Sequence, residues 1–123
     1  MKDENKISVV GGGLAGCEAA YQISKLGIDV DLYEMRPNTK TEAHNTEYLA
    51  ELVCSNSFRS DDKEYNAVGV LHEELRMSDS LIMKTADLNK VPAGSALAVD
   101  RDDFAKEINN TIKSNSKIKI INK

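Results

Sequence analysis

The chain has 123 residues, enough for one domain at most, and its 41% hydrophobic and 29% charged residues are ordinary for a globular protein. Its net charge of −4, from 16 basic and 20 acidic residues, lacks the basic excess typical of nucleic-acid-binding surfaces. No apolar run approaches the ~20 residues of a membrane helix, and the polar start lacks the apolar core of a secretory signal, which predicts a cytoplasmic protein without a membrane span.

The first part of the chain predicts a strand, a helix and a second strand. Residues 7–10 are β-prone and lead into a run of glycines. Residues 14–26 repeat apolar side chains at steps of three and four, which indicates an amphipathic helix that ends at Gly27. Residues 29–34 predict the second strand. Together, residues 7–34 have the length of a βαβ unit.

Residues 35–99 are predicted to form a long, mainly helical insertion. The polar stretch 35–65 is longer than a simple connection, and long loops in compact domains are usually functional. Asn66 can cap a helix over residues 67–87, and Pro92 marks a break after it. One face of this helix is expected to be buried, with Val68, Leu71, Leu75, Ile82 and Ala86.

The last part of the chain predicts a helix and a third strand, over about residues 100–121. Asp100 can cap the helix, and the acid at Asp103 suits the positive end of the helix dipole. Residues 117–121 alternate lysine with isoleucine, which fits an outer strand better than a central one. In a doubly wound sheet of order 3-2-1-4-5-6 the third strand is an outer strand, so the pattern and the topology agree.

A glycine-rich turn between the first strand and the first helix matches G-x-G-x-x-G. In that pattern the first glycine makes a tight turn, the second lets the backbone approach a pyrophosphate, and the third lets helix and strand pack closely. The helix N-terminus then offers free N–H groups to the phosphates. The predicted cofactor-binding residues are Gly11, Gly12, Gly13, Leu14, Ala15 and Gly16.

Glu34 is the acid expected to complete this dinucleotide site. It ends the second predicted strand, close to the spacing of about 20 residues at which an acid binds a ribose hydroxyl. A free 2′-hydroxyl favours FAD or NAD over NADP, and the pattern does not choose between FAD and NAD. A glycine turn that binds no ligand is the alternative interpretation.

The two cysteines are predicted to be free thiols, and no Cys/His cluster has metal-ligand spacing, so no metal site is predicted. Cys54 stands among hydroxyl and amide side chains with Arg59 nearby, and a nearby cation would favour the nucleophilic thiolate. From the residues alone, a buried structural cysteine remains the more ordinary interpretation. Cys17, just after the glycine turn, is expected to serve in packing.

Several stretches of the chain resemble one enzyme family. Two are especially specific, YEMRP at residues 33–37 and LVCSNS at residues 52–57. With the glycine turn, residues 66–69 and residues 91–101, they resemble the folate- and FAD-dependent tRNA (uracil-5-)-methyltransferases, the TrmFO family. The resemblance covers nearly all of residues 7–104.

The resemblance implies a fold and a reaction. The fold is α/β, the N-terminal part of a Rossmann-like FAD-binding domain with a parallel sheet, and residues 1–123 would all belong to that domain. The reaction is methylation of C5 of uracil-54 in the tRNA T-loop. Methylenetetrahydrofolate supplies the carbon, and FAD reduced by NADH or NADPH supplies the electrons. Cys54 matches the position of a family cysteine that takes part in catalysis.

The same resemblance implies that much of the enzyme lies elsewhere. Family members are several times longer, so most of the folate- and tRNA-binding surface would lie outside these residues, which agrees with the missing basic excess. The activity is therefore expected of a full-length protein. The alternatives are another FAD-dependent oxidoreductase and a truncated, non-catalytic dinucleotide-binding chain. The sequence predicts no particular oligomeric state.

Overall fold

Three parallel strands, a small antiparallel sheet and four helices make up residues 5–123, the part of the chain that the computed structural model describes. Parallel strands need long crossover connections, and α1 provides one between the first two strands. The elements in chain order are β1 (Lys6–Val10), α1 (Leu14–Lys25), β2 (Asp29–Glu34), β3 (Ser57–Ser60), α2 (Ala67–Met77), α3 (Leu81–Leu88), β4 (Lys90–Val91), β5 (Ala96–Val99), α4 (Arg101–Ser114) and β6 (Ile118–Asn122).

The parallel sheet has the order β1-β2-β6, which confirms the predicted α/β fold and the outer position of the third strand. Leu32 in the central strand lies beside Val9 on one side and Ile120 on the other. In β6, Ile118 is buried while Lys119 is exposed, as expected of an edge strand with one covered face. The carboxyl ends of β1 and β2 meet at the same edge of the sheet, where the glycine turn begins.

The helix predicted over residues 67–87 is two helices, so that prediction was wrong in its extent. Ser80 ends the interruption and caps α3, because its hydroxyl accepts a hydrogen bond from the Met83 amide at 3.2 Å. The Glu18 carboxylate of α1 also accepts the Leu81 amide at 2.9 Å. Leu71 on α2 is 52% exposed, although the single-helix pattern had placed it on the buried face. The Asn66 cap of α2 is confirmed.

The insertion also contains a three-stranded antiparallel sheet of order β3-β5-β4, which the sequence did not predict. Ser57 of β3 pairs with Ala98, and Lys90 of β4 pairs with Val99. The outer strands are only 4 and 2 residues long and carry polar side chains, so they lack the alternating pattern that identifies a strand. The insertion is thus mixed in structure and not simply helical.

One hydrophobic core joins the insertion to the βαβ unit. Phe104 of α4 is fully buried, and its ring meets that of Phe58 edge-on with centroids 5.5 Å apart. The Asp100 cap of α4 is as predicted. None of the helices within residues 5–123 is long and apolar enough to cross a membrane. The main core side chains are Val30, Leu32, Leu97, Val99, Phe104, Ile108 and Ile112.

Candidate dinucleotide site and the Cys54 loop

The first and third glycines of the turn are required by the protein itself. Gly11 has φ of 102°, a conformation that disfavours any side chain, and its amide donates to the Tyr33 carbonyl at 2.8 Å. A Cβ on Gly16 would overlap the Gly11 carbonyl oxygen. Helix α1 can therefore approach β1 this closely only because residue 16 has no side chain.

Gly13 is different, because a Cβ there would meet no protein atom within 4 Å. It is the N-cap of α1, and no side chain among the described residues caps the free amides that follow it. An uncapped helix N-terminus with open space in front of it suits an anionic group. The turn borders a cleft of about 330 Å³ at the carboxyl ends of the parallel strands, where ligands bind in such sheets.

Glu34 closes the floor of this cleft and is only 5% exposed. Its carboxylate accepts the Gly12 amide at 3.0 Å, the Arg36 amide at 2.9 Å and Arg36 Nε at 3.1 Å. Burial opposes ionisation, but these hydrogen bonds, led by the Arg36 side chain, outweigh it and hold the pKa of Glu34 below its usual value. Glu34 thus fixes the conformation of the turn from below. Gly12 is required for this contact, since a Cβ there would collide with the Glu34 carboxylate and Leu49.

Arg36 is the central residue of a buried charged cluster. Its side chain is 3% exposed and lies between two carboxylates, with Nε 3.1 Å from Glu34 Oε1 and Nη1 3.1 Å from Glu51 Oε2. Because its guanidinium is committed to these carboxylates, it is poorly placed to receive a nucleotide 2′-phosphate. Sequence patterns alone did not single out Arg36. The sequence signal for Arg36 was its position two residues after Glu34, the acid that ends β2.

Glu51 anchors the segment that precedes Cys54. Its Oε1 accepts the backbone amides of Asn45 and Thr46, each at 2.9 Å. The Ala50 amide next to it donates to the Gly12 carbonyl at 2.8 Å, which joins this segment directly to the glycine turn. Sequence inspection missed Glu51 altogether, because a carboxylate that pairs across 15 residues leaves no local pattern.

Cys54 is exposed, so it is not the buried structural cysteine that its residue type favoured. Beyond it, Asn56 fixes the loop to β5, with its Nδ2 donating to the Val99 carbonyl at 3.1 Å and its own carbonyl accepting the Val99 amide at 2.9 Å. The loop is therefore held on both sides of an accessible thiol. Arg59 is exposed, and within the described residues it makes no hydrogen bond or ion pair with Cys54.

Cys17 is fully buried, as expected of a packing residue. Its thiol donates to the Gly12 carbonyl at 3.4 Å. Burial, reinforced by the negative charge of Glu34, raises the pKa of Cys17 to about 12, so it stays a protonated thiol at neutral pH. It supports the turn and is unsuited to nucleophilic chemistry.

The two histidines lie in different surroundings. His44 lines the cleft, with Nδ1 2.8 Å from Thr41 Oγ1. His72 is buried in α2, with Nδ1 3.0 Å from the Asp61 carboxylate, and so ties that helix to the end of β3. Within residues 5–123, no group of three or more His, Cys, Asp or Glu side chains is arranged to hold a metal ion.

A parallel βαβ unit with a glycine turn opening its helix defines a Rossmann-like α/β protein. A family model described as "Glucose inhibited division protein A" matches residues 6–123, and the chain belongs to that family. A crystal structure of Aquifex aeolicus GidA superimposes with a TM-score of 0.73 over 97% of this chain and 19% of that one. At 16% identity, this likeness concerns the fold alone.

Closer relatives carry a more particular name. The chain is 61% identical over 117 residues to a protein of Bartonella tribocorum named methylenetetrahydrofolate--tRNA-(uracil-5-)-methyltransferase TrmFO, covering 95% of this chain and 25% of the relative. A protein of the same name from Jannaschia sp. is 54% identical over 120 residues, covering 98% and 26%. These matches confirm the family indicated by the two specific motifs. The chain spans about a quarter of the length of these relatives.

Proposed function

We propose that this chain is the N-terminal part of an FAD-dependent tRNA (uracil-5-)-methyltransferase that forms 5-methyluridine at position 54 of the T-loop. The observation that carries the proposal is the 61% identity to a relative so named, over 95% of the chain. The geometry adds support. The glycine turn is open at Gly13, and the buried side chains of Glu34, Arg36 and Glu51 link it to the segment that precedes the exposed Cys54. Residues 1–123 would belong to the FAD-binding domain of a cytoplasmic enzyme.

The described residues fit an adenine dinucleotide. The uncapped N-terminus of α1 and the open space at Gly13 would receive the pyrophosphate, and Glu34 would face the ribose. With Arg36 committed to carboxylates, a ribose without a 2′-phosphate is favoured, as in FAD. When bound and reduced by NADH or NADPH, FAD would supply the electrons that convert the transferred one-carbon unit into a methyl group.

Cys54 would act on the uracil. C5 of uracil is a poor nucleophile, and a thiolate that adds at C6 makes C5 enolate-like and able to attack a one-carbon unit. The C5 proton and tetrahydrofolate would then leave, and expulsion of the thiolate, as the one-carbon unit is reduced, would restore the ring. An exposed thiol on a loop fixed at Glu51 and Asn56 meets the steric need of this step. Methylenetetrahydrofolate is the proposed carbon donor.

The experiment is a transfer assay on the full-length protein that contains this sequence. The purified protein is given tRNA that lacks the T-loop methyl group, labelled methylenetetrahydrofolate, NADH and FAD. The proposal predicts label at C5 of uracil-54, dependent on FAD. A yellow protein that transfers no label would instead indicate a different FAD-dependent oxidoreductase, and a colourless inactive protein a non-catalytic dinucleotide-binding chain.

A further inference from the structure

We infer that Arg36 and Glu51 are positioning residues that couple the dinucleotide turn to the loop carrying Cys54. Through them, the ligand state of the turn would set the placement and reactivity of the Cys54 thiol. The roles of the glycine turn and of Cys54 in this inference rest on the proposed function. The connection between the ends comes from contacts in this chain.

The turn side of the connection runs through Glu34. One carboxylate oxygen accepts the Gly12 amide at 3.0 Å, and the other accepts the Arg36 amide at 2.9 Å and Nε at 3.1 Å. Any shift of the Gly12 peptide therefore acts on the carboxylate that holds Arg36. Because the Glu34 and Arg36 side chains are buried, losing one partner is costly to the others, and the contacts are expected to move together.

The loop side runs through Glu51, three residues before Cys54. Arg36 Nη1 donates to Glu51 Oε2 at 3.1 Å and also to the Thr46 carbonyl at 3.4 Å. Glu51 Oε1 in turn holds the amides of Asn45 and Thr46. The 45–51 segment is thus closed into a loop, and among the described residues Arg36 is the only side chain that forms an ion pair with Glu51.

The balance of buried charge decides which substitution can test this connection. The side chains of Glu34, Arg36 and Glu51 are 6%, 3% and 9% exposed, so one cation serves two buried carboxylates. Removing the cation would leave both carboxylates uncompensated and would cost folding free energy. Removing the charge of Glu51 alone leaves the Glu34–Arg36 pair intact. Glu51→Gln therefore removes the ion pair between the loop and the turn without dismantling the turn. The backbone hydrogen bond from Ala50 to the turn and the Arg36 hydrogen bond to the 45–51 segment still join them.

The test uses Glu51→Gln in the full-length protein, with Glu74→Gln as the control. Glu74 is an exposed carboxylate on α2 that takes no part in the cluster. The first measurement is the iodoacetamide alkylation rate of the Cys54 peptide, followed by mass spectrometry with and without FAD. In the wild type and the control, FAD is expected to change this rate by about threefold or more, whereas in Glu51→Gln the change is expected to be clearly smaller, with FAD affinity within about twofold of wild type.

The second measurement is steady-state transfer to tRNA. Glu51→Gln is expected to lower kcat by about tenfold or more while KM for tRNA stays within about twofold, because the thiol is misplaced and not the substrate. A simple loss of stability would lower the amount of active protein but would not erase the FAD effect on alkylation. An FAD effect that is undiminished in Glu51→Gln, or is absent from the wild type, would overturn the inference. If the wild type transfers no label, the proposed function fails, while the alkylation result still decides the coupling.

Discussion

At the residue scale, three of the four glycines in the turn are required by the protein, each for a different reason. Gly11 needs a positive φ, Gly12 makes room for the Glu34 carboxylate, and Gly16 makes room for the backbone of Gly11. The G-x-G-x-x-G pattern predicted the roles of the first and third glycines. It did not predict that of Gly12, because the side chain beneath it comes from a strand 22 residues away.

Gly13→Ala is expected to affect mainly FAD binding, and Gly16→Ala mainly the stability of the fold. A Cβ at residue 16 overlaps the Gly11 backbone, so Gly16→Ala should unfold or severely destabilise the protein. A Cβ at residue 13 meets no protein atom, so Gly13→Ala should cost only about 1 kcal/mol of stability at the helix cap and weaken FAD binding by about tenfold or more. Thermal unfolding of the apoprotein and FAD titration check both effects. Unchanged FAD affinity in folded Gly13→Ala would contradict the placement of the pyrophosphate.

Glu34 predicts a loss of stability in acid. Its pKa is lower in the folded protein than the usual 4.5, so the folded state favours the carboxylate. The resulting stabilisation is complete above the unfolded-state pKa and is lost as pH falls through the lowered folded-state pKa. Glu34→Gln should therefore show a shallower decline of unfolding free energy below about pH 4.5 than the wild type, measured by urea denaturation. Parallel declines in the two proteins would show that the buried pair does not hold Glu34 ionised.

At the element scale, helices and strands with a long hydrophobic pattern were predicted correctly, whereas those whose position depends on tertiary contacts were not. The βαβ unit and α4 carry clear strand and helix periodicity; the βαβ unit formed with ends within one residue of those expected, and α4 begins directly after its predicted cap, Asp100. The division between α2 and α3 depends on Glu18, a side chain of α1 that receives the amide of Leu81. Strands β3 and β4 are stabilised by pairing with β5, and segments of only two to four residues carry no sequence pattern that predicts such pairing.

The Asp100 cap gives a prediction for α4. Its Oδ1 accepts the Asp103 amide at 2.9 Å, which satisfies one of the free amides at the helix start. Asp100→Ala should destabilise the protein by about 1 kcal/mol, while Asp100→Asn, which keeps an acceptor, should cost clearly less. Urea denaturation of the two variants makes the comparison. Equal losses would indicate that charge, and not the cap hydrogen bond, is what matters at this residue.

At the scale of the whole molecule, one core supports both the dinucleotide turn and the insertion that carries Cys54. Leu32 of the parallel sheet and Leu97 of the antiparallel sheet belong to the same buried cluster. The sequence indicated the two ends of the site, the glycine turn and Cys54. It could not indicate the Glu34–Arg36–Glu51 cluster between them, because that arrangement exists only once the 35–51 segment folds back on the turn.

The central claim is that the glycine turn binds FAD and that Cys54 is the catalytic thiol of the same methyltransferase. It is tested most directly by Cys54→Ser in the full-length protein. FAD content and label transfer to uracil-54 would be measured on the same sample, beside the wild type. We expect a yellow, folded variant with FAD affinity near that of wild type and transfer reduced by at least about a thousandfold, as expected when a nucleophile is removed. Transfer at the wild-type rate would contradict the assignment of Cys54 and with it the mechanism proposed for this chain.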